Sequence, residues 1–451
     1  MTPPAAAPIP LRSLLVYALP AAPVFFTFML ISVYLLKYAA DVLYIAPGVM
    51  GVIYGLSRLY DAVTDPIAGY LSDRTRSRLG RRRSWLLASI VPIAAGFALI
   101  WCPPPSLQGA ALALWVGAGV FLYYTGTTIF SIPHEALGAE FTTDHHDRTR
   151  VFGVKAAVAM LGSIAAIGGL QLFYSSPDQR RTAAVLAASL AVLLAVSVGL
   201  AVSRVREQPG HQGRGAKRML PAFRDVLRNP HAVPLLLVFF IENFGMASLG
   251  VLTPFVMKYA LAMEDLTPLF IGMYFVPALL GIPVWIRLSR RVGKRRLWLF
   301  ATGVLTLAFS GLFFVQPGQM WLVLALGIVA GIGGGCGQVV GPSIQADIID
   351  WDELRTGQRK EGAYFAVWNF MRKSAFGLSA MIAGLVLDAI GFQPNAEQSE
   401  ATRLGMRALF GLAPGVCFGL GFLALLRFRL DEAEHAAIRR GLEQRALQSV
   451  S

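Results

Sequence analysis

Long apolar segments separated by short polar segments make up most of the 451-residue chain. A helix needs roughly 20 apolar residues to cross a membrane, because only a helix satisfies its own backbone hydrogen bonds in the hydrocarbon core. Twelve segments are long enough, and we number them spans 1 to 12. They cover residues 14–36, 45–71, 84–101, 109–133, 151–174, 182–202, 233–258, 268–286, 297–315, 320–345, 361–390 and 404–426. The pattern predicts an all-α membrane protein with twelve transmembrane helices.

One basic motif occurs twice along the chain. It reads GRRRSWLLA from Gly80 and GKRRLWLFA from Gly293, and both copies follow the second span of their half. Such a repeat indicates internal duplication, as in transporters whose halves move about a central site. We therefore predict two pseudo-symmetric six-helix bundles, 1–202 and 233–426. A polar linker, 203–232, joins them, and a tail follows at 427–451.

The distribution of charge predicts the orientation. The chain is 55% hydrophobic and 15% charged, whereas soluble domains carry about 25% charged residues. Of its 40 basic residues, 30 lie in segments that a twelve-span topology places on one side of the membrane. By the positive-inside rule this side is the cytoplasm, with both termini and the linker there. The net charge of +14 thus follows from topology and is no sign of nucleic-acid binding, and we expect a location in the cell inner membrane.

Enzymatic and cofactor motifs are missing from the sequence. The three cysteines are far apart in apolar segments, which excludes a disulfide framework and a metal-ligand spacing. Glycines at every fourth position of span 10, from Gly327 to Gly335, are better explained by close helix packing than by nucleotide binding. We expect no enzyme and no cofactor.

Two carboxylates lie inside span 2. Asp61 and Asp65 are four residues apart, so they project from one face of the helix, and burying both in a membrane requires a cation, a proton or a basic partner. A coupling-ion site meets that requirement. A structural ion pair with Arg58 is the alternative.

Charged residues near the cytoplasmic ends of spans 2 and 10 are candidates for gating. A carboxylate at the end of span 2 faces a basic loop, which can hold the turn in one conformational state. The acidic segment after span 10 can pair with basic loops of the other half. The candidate gating residues are Gly69, Asp73, Arg74, Arg81, Asp347 and Asp350.

Three further polar residues lie within or beside the spans. Glu135 is close to the end of span 4, where it lines the cavity or lies at the interface. Asn369 and Lys373 share one face of span 11, and a lysine deep in a span is costly unless it faces a carboxylate or a wet cavity. We expect Lys373 to pair with the span-2 carboxylates, with snorkelling to the interface as the alternative.

Several of these motifs together resemble the glycoside-pentoside-hexuronide:cation symporters, the melibiose-carrier family of the major facilitator superfamily. They are the Asp61-to-Thr75 pattern, the segment through Glu140 with Arg148, and the stretch from Ala346 through Glu361 to Lys373. The resemblance implies the major facilitator fold. It also implies that Asp61 and Asp65 bind the cation, and that the substrate cavity contains Asp65, Trp368, Asn369 and Lys373. Glu135 and Asn243 are further candidates for that cavity.

This chain departs from the family pattern at three positions. Phe25 and Ser131 stand where melibiose carriers have acids in helices 1 and 4, and Lys155 stands where an arginine is usual. Glu135, one turn beyond Ser131, is the candidate replacement. The resemblance implies cation-coupled symport, with H+ or Na+, of a glycoside or related sugar, by a monomer in the lipid bilayer. A lysolipid carrier and a membrane sensor without transport are the alternatives.

Overall fold

The computed structural model describes residues 9–140, 145–205, 207, 226–356, 361–427 and five positions of the tail. Most of the predicted linker 203–232 and of the tail 427–451 therefore lies outside the described residues. The chain divides into two compact units, Met1–Gly215 and Ala216–Ser451. The bundle bounds proposed from the sequence stay predictions.

The first unit consists of helices whose lengths match spans 1 to 6. Span 1 is formed by two consecutive helices that meet at Pro20, which cannot donate a backbone hydrogen bond. The helices are α1 Leu11–Ala18, α2 Ala21–Asp41, α3 Pro47–Arg74, α4 Arg81–Trp101, α5 Gly109–Glu140, α6 His145–Ser175 and α7 Gln179–Arg204.

The apolar segments of the second unit that the structure describes are helical too. Its helices are α8 Ala232–Phe255, α9 Thr267–Val292, α10 Lys294–Leu312, α11 Met320–Thr356, α12 Glu361–Ala389, α13 Glu400–Arg407 and α14 Ala413–Arg427. One π-helical turn, Val256–Ala260, extends α8, and another, Ala408–Leu412, joins α13 to α14. The all-α membrane fold predicted from the sequence is confirmed.

Ten helices in the described part of the chain are long and apolar enough to cross a membrane. The helices α3 and α10, which match spans 2 and 9, are not among the ten. Polar residues explain both cases, because α3 carries several charged residues and α10 begins with three basic residues. The count of twelve spans stays a prediction that these helix lengths fit.

Both units use the same order of helix pairing. In the first unit α2 packs on α6, α3 on α5, and α4 on both α5 and α7. In the second unit α8 packs on α12, α9 on α11, and α10 on both α11 and α14. The repeated motif has the same backbone too, since Gly80 and Gly293 precede α4 and α10 with φ of +109° and +92°. Glycine adopts this left-handed region at low cost.

The glycine repeat of span 10 lies where α11 meets α9. A Cβ atom at Gly331 would lie 2.3 Å from the backbone oxygen of Tyr274, and one at Gly335 would lie 2.4 Å from that of Ala278. The absence of side chains therefore lets the two backbones approach closely, as the sequence pattern indicated.

Candidate cation and substrate site

A buried ion pair lies in the middle of α3. Arg58 donates from Nη1 to Oδ2 of Asp61 at 3.0 Å, and both side chains are almost fully buried. The guanidinium also lies over the rings of Tyr124, at 4.6 Å, and Phe28, at 5.5 Å. Aromatic faces attract a cation most strongly when water is excluded. The partner of Asp61 that the sequence left as an alternative is thus present within the first unit.

A hydroxyl group of α5 joins the two carboxylates of α3. Oγ1 of Thr128 lies 2.6 Å from Oδ1 of Asp61 and 3.1 Å from Oδ1 of Asp65. The side chain of Thr128 is buried, and α3 packs on α5 along this stretch. The structure therefore brings Asp61 and Asp65 together around one hydroxyl, as expected for residues four apart on a helix.

The candidate gating residues of the first unit lie in the last part of α3 and at the start of α4. Asp73 at the end of α3 forms an ion pair with Arg82, whose Nη1 also donates to Ser72 at 2.6 Å. Arg74 stacks on the ring of Tyr70 at 4.0 Å. Gly69 faces the Ile132 side chain of α5.

Glu207, just beyond α7, caps the first turn of α4. Its carboxylate accepts three backbone N–H bonds, from Arg81 at 2.8 Å, Arg82 at 2.8 Å and Arg83 at 2.7 Å. A carboxylate at this position satisfies free helix N–H groups and interacts favourably with the helix dipole. The turn between α3 and α4 is thereby tied to the end of α7.

The acidic candidates of the second unit lie near the end of α11. Lys294, the first residue of α10, donates to both carboxylate oxygens of Asp347, at 2.7 and 2.8 Å. Asp350 is buried in the same helix. Lys294 is the counterpart of Arg81 in the repeated motif, so each unit places an ion pair beside its copy of that motif.

The substrate-cavity candidates occupy four helices, and Asp65 of α3 has been described above. Glu135 of α5 is exposed and pairs with Lys155 of α6 at 3.1 Å. Since Glu135 is seven residues beyond Thr128, it lies roughly 10 Å further along α5. Asn243 of α8 donates to the carbonyl of Phe239 in its own helix at 2.7 Å.

The α12 candidates have different surroundings. Trp368 is buried in the apolar core of the second unit and stacks on Tyr364 at 5.8 Å, and its indole N–H has no acceptor among the described atoms. Asn369 is exposed and accepts from Arg372 at 2.9 Å. Lys373 is partly buried. The side chains of Glu140, Arg148 and Glu361 lie outside the described residues.

The sequence analysis missed Thr128 and Glu207. Thr128 is one of several threonines in an apolar span. It lies three positions before Ser131, the position that carries an acid in the family pattern. Glu207 lies in the linker, where no periodicity shows which charged side chain reaches a helix end. Neither residue stands out without the helix packing.

The comparison that decides the family covers nearly the whole chain. Residues 16–432 match the model of the MFS/sugar transport protein family. The chain belongs to this family. It is therefore a multi-pass membrane transporter and not an enzyme, and the resemblance inferred from the sequence is confirmed.

Relatives of this MFS transporter include two with informative names. The putative glycoside/cation symporter YagG of Escherichia coli is 25% identical, over 91% of this chain and 90% of its own. The sodium-dependent lysophosphatidylcholine symporter 1-A of Danio rerio is 25% identical, over 92% and 85%. A solved structure of the nucleoside transporter NupG matches with a TM-score of 0.64 at 14% identity, over 91% of this chain and all of that one, which shows the shared fold.

Proposed function

We propose that this transporter is a cation-coupled symporter of a glycoside or related sugar, working by alternating access, with Asp61 and Asp65 as the site of the coupling ion. The observation that carries the proposal is the position of one threonine hydroxyl between two carboxylates. The ion is H+ or Na+.

The hydroxyl of Thr128 has a single proton and can donate it to only one acceptor at a time. It lies within hydrogen-bonding distance of Asp61 and Asp65. The contact with Asp61 is the shorter one, so we assign the proton to it. The hydroxyl oxygen then lies beside Asp65 without a proton to share. That contact is favourable if Asp65 carries a proton, or if a cation lies between the two oxygens. Arg58 already balances one negative charge. The arrangement therefore supports a cation or a proton at the carboxylate oxygens that Thr128 joins.

The remaining candidates are assigned either to the substrate cavity or to the cytoplasmic gate. We propose that Asp65, Glu135, Asn243, Trp368, Asn369 and Lys373 contribute to the substrate cavity. Gly69, Asp73, Arg74, Arg81, Asp347 and Asp350 belong to the cytoplasmic gate. The ion pairs of Asp73 with Arg82 and of Asp347 with Lys294 support a gating role, because such pairs can break and reform between conformational states.

Lys373 is proposed as a competitor of the coupling ion for the α3 carboxylates. The structure gives Asp61 a partner in its own helix, Arg58, so the two pairings are tested against each other. Thermal stabilities of Asp61→Asn, Lys373→Ala and the double variant would show a non-additive recovery if the two residues interact. Strictly additive losses would assign the carboxylate to Arg58 and remove Lys373 from the ion site.

A lysolipid is the second candidate substrate. The relative named as a lysophosphatidylcholine symporter supports it, and so does Phe25, an apolar residue where melibiose carriers have an acid. The sugar is favoured because the matching family is named for sugar transport. We place the protein in the cell inner membrane as a monomer with both termini in the cytoplasm.

Uptake into proteoliposomes tests the proposed function. Radiolabelled glycosides and lysophosphatidylcholine are offered separately under an imposed H+ gradient, an imposed Na+ gradient, or no gradient. We expect concentrative uptake of at least one glycoside with one of the two ions. Uptake of the lysolipid alone would replace the sugar as substrate, and gradient-independent uptake would contradict symport.

A further inference from the structure

One carboxyl group lies in the membrane-spanning part of the second unit, outside the site described above. Glu242 is the eleventh residue of α8, about 15 Å from the start of that helix. The next charged residue of the span Ala232–Ala260 is Lys258, four turns further on. Glu242 is thus close to the middle of an apolar helix, where an ionised carboxylate is costly without a cationic partner.

Two side chains of α10 surround this carboxyl group, and a glycine of α14 makes room for it. Oγ1 of Thr302 lies 3.3 Å from Oε1 of Glu242, and the Trp298 side chain lies near the same carboxyl group. A Cβ atom at Gly421 would lie 3.1 Å from Oε1. Three helices of the second unit therefore meet at Glu242.

The hydroxyl of Thr302 already has an acceptor. It lies 2.8 Å from the backbone oxygen of Trp298, one turn earlier in α10, and a carbonyl oxygen can only accept. With its one proton in this shorter bond, Thr302 can only accept from Glu242. A protonated Oε1 then supplies the hydrogen of the 3.3 Å contact, whereas an ionised Glu242 would have to draw the Thr302 proton out of its shorter bond to the backbone.

Charged groups of the surrounding helices are engaged elsewhere. Arg295 of α10 donates to backbone oxygens at the end of α14. On α12, Arg372 donates to Asn369 at 2.9 Å. The thiol of Cys336 on α11 donates to the carbonyl of Leu297 at 3.8 Å.

No lysine, arginine or histidine side chain within the described ranges forms an ion pair with Glu242. We propose that Glu242 is a proton-binding site of the second unit, in which the carboxyl group is carried as the neutral acid and donates to the hydroxyl of Thr302. The ligand is a single proton, taken up by the carboxylate to give the carboxylic acid. This site is separate from Asp61 and Asp65, which lie in the other unit and beside a guanidinium.

Infrared spectroscopy of the purified protein at neutral pH tests the proposal directly. A protonated carboxyl group gives a C=O stretching band that a carboxylate lacks, so we expect such a band in the wild type and its loss in Glu242→Gln. Glutamine keeps the shape and can still donate to Thr302. The measurement needs no transported solute, so its outcome is independent of the proposed transport function.

Variants of the acceptor make the test independent of how well Glu242→Gln folds. Thr302→Val removes the acceptor oxygen and should shift the acid band, because the O–H group of the carboxylic acid loses its hydrogen-bond acceptor. Thr306→Val is the matched control, because the one contact of the Thr306 hydroxyl among the described residues is with the carbonyl of Thr302 at 2.8 Å. Acid bands that are the same in wild type and Glu242→Gln, or unmoved by Thr302→Val, would overturn the proposal.

Discussion

Replacing Thr128 by valine gives the sharpest test of the ion site, because valine has the same shape but no hydroxyl. The substitution removes the contacts with Asp61 at 2.6 Å and with Asp65 at 3.1 Å. The carboxylates, Arg58 and the helix packing are left in place. We therefore expect a specific loss of ion affinity in a protein that still folds.

The size of this loss follows from the bond removed. A hydrogen bond to a charged group contributes about 1.5–3 kcal/mol. If that contribution is made fully in the ion-bound state, the affinity for the coupling ion falls roughly 10- to 100-fold, since about 1.4 kcal/mol corresponds to a factor of ten.

The assay is the dependence of glycoside uptake on ion concentration, in proteoliposomes prepared with each variant. The half-saturating concentration of H+ or Na+ should rise in Thr128→Val and stay near the wild-type value in Thr128→Ser, which keeps the hydroxyl. Thr127→Val is the matched control, since within the described ranges the hydroxyl of Thr127 bonds to the carbonyl of Tyr124 in its own helix, at 2.9 Å, and to no carboxylate.

An unchanged half-saturating concentration in Thr128→Val would refute the reasoning. So would equal effects of Thr127→Val and Thr128→Val, because the loss would then come from the altered helix and not from the contact with the carboxylates.

Three further predictions concern stability, each measured as thermal unfolding in detergent. Arg58→Ala should destabilise the protein by about 3 kcal/mol, and adding Asp61→Asn should restore part of the loss; a double variant less stable than both single ones would contradict the ion pair. Glu207→Gln should lower the free energy of unfolding by about 1 kcal/mol, because it weakens the cap of α4. An unchanged melting temperature would mean that the cap does not stabilise the protein. Gly331→Ala should lower the free energy of unfolding by about 1–3 kcal/mol, because the added Cβ atom would clash with the backbone of α9. Gly337→Ala is the control and should be tolerated, since the space around that Cβ position is open.

Much of the fold could be predicted from the sequence because each span is a long apolar run. The repeat at Gly80 and Gly293 indicated the duplication, and both glycines have the same backbone conformation in the structure. Helix ends were less predictable, since α5 and α11 continue well beyond the apolar runs on which spans 4 and 10 were based. Polar residues extend these helices outside the hydrocarbon core, where periodicity in hydropathy gives no boundary.

The candidate site could be predicted only in part. Asp61 and Asp65 stood out because carboxylates are rare in an apolar span. The partner of Asp73 is Arg82, the residue beside the Arg81 that the sequence suggested, because helix α4 sets which side chain of the basic run faces α3. Thr128 and Glu242 could not be assigned, since their roles depend on which helix packs against each of them.

Accumulation of a glycoside against its concentration gradient, compared between wild type and Asp65→Asn, tests the proposed ion site most directly. Asparagine keeps the shape of the side chain and removes the charge that binds the ion. We predict that the wild type accumulates the solute under the imposed ion gradient, whereas Asp65→Asn inserts into the membrane and only lets the solute equilibrate. Accumulation by Asp65→Asn at the wild-type level would contradict the assignment of the coupling ion to the carboxylates of α3.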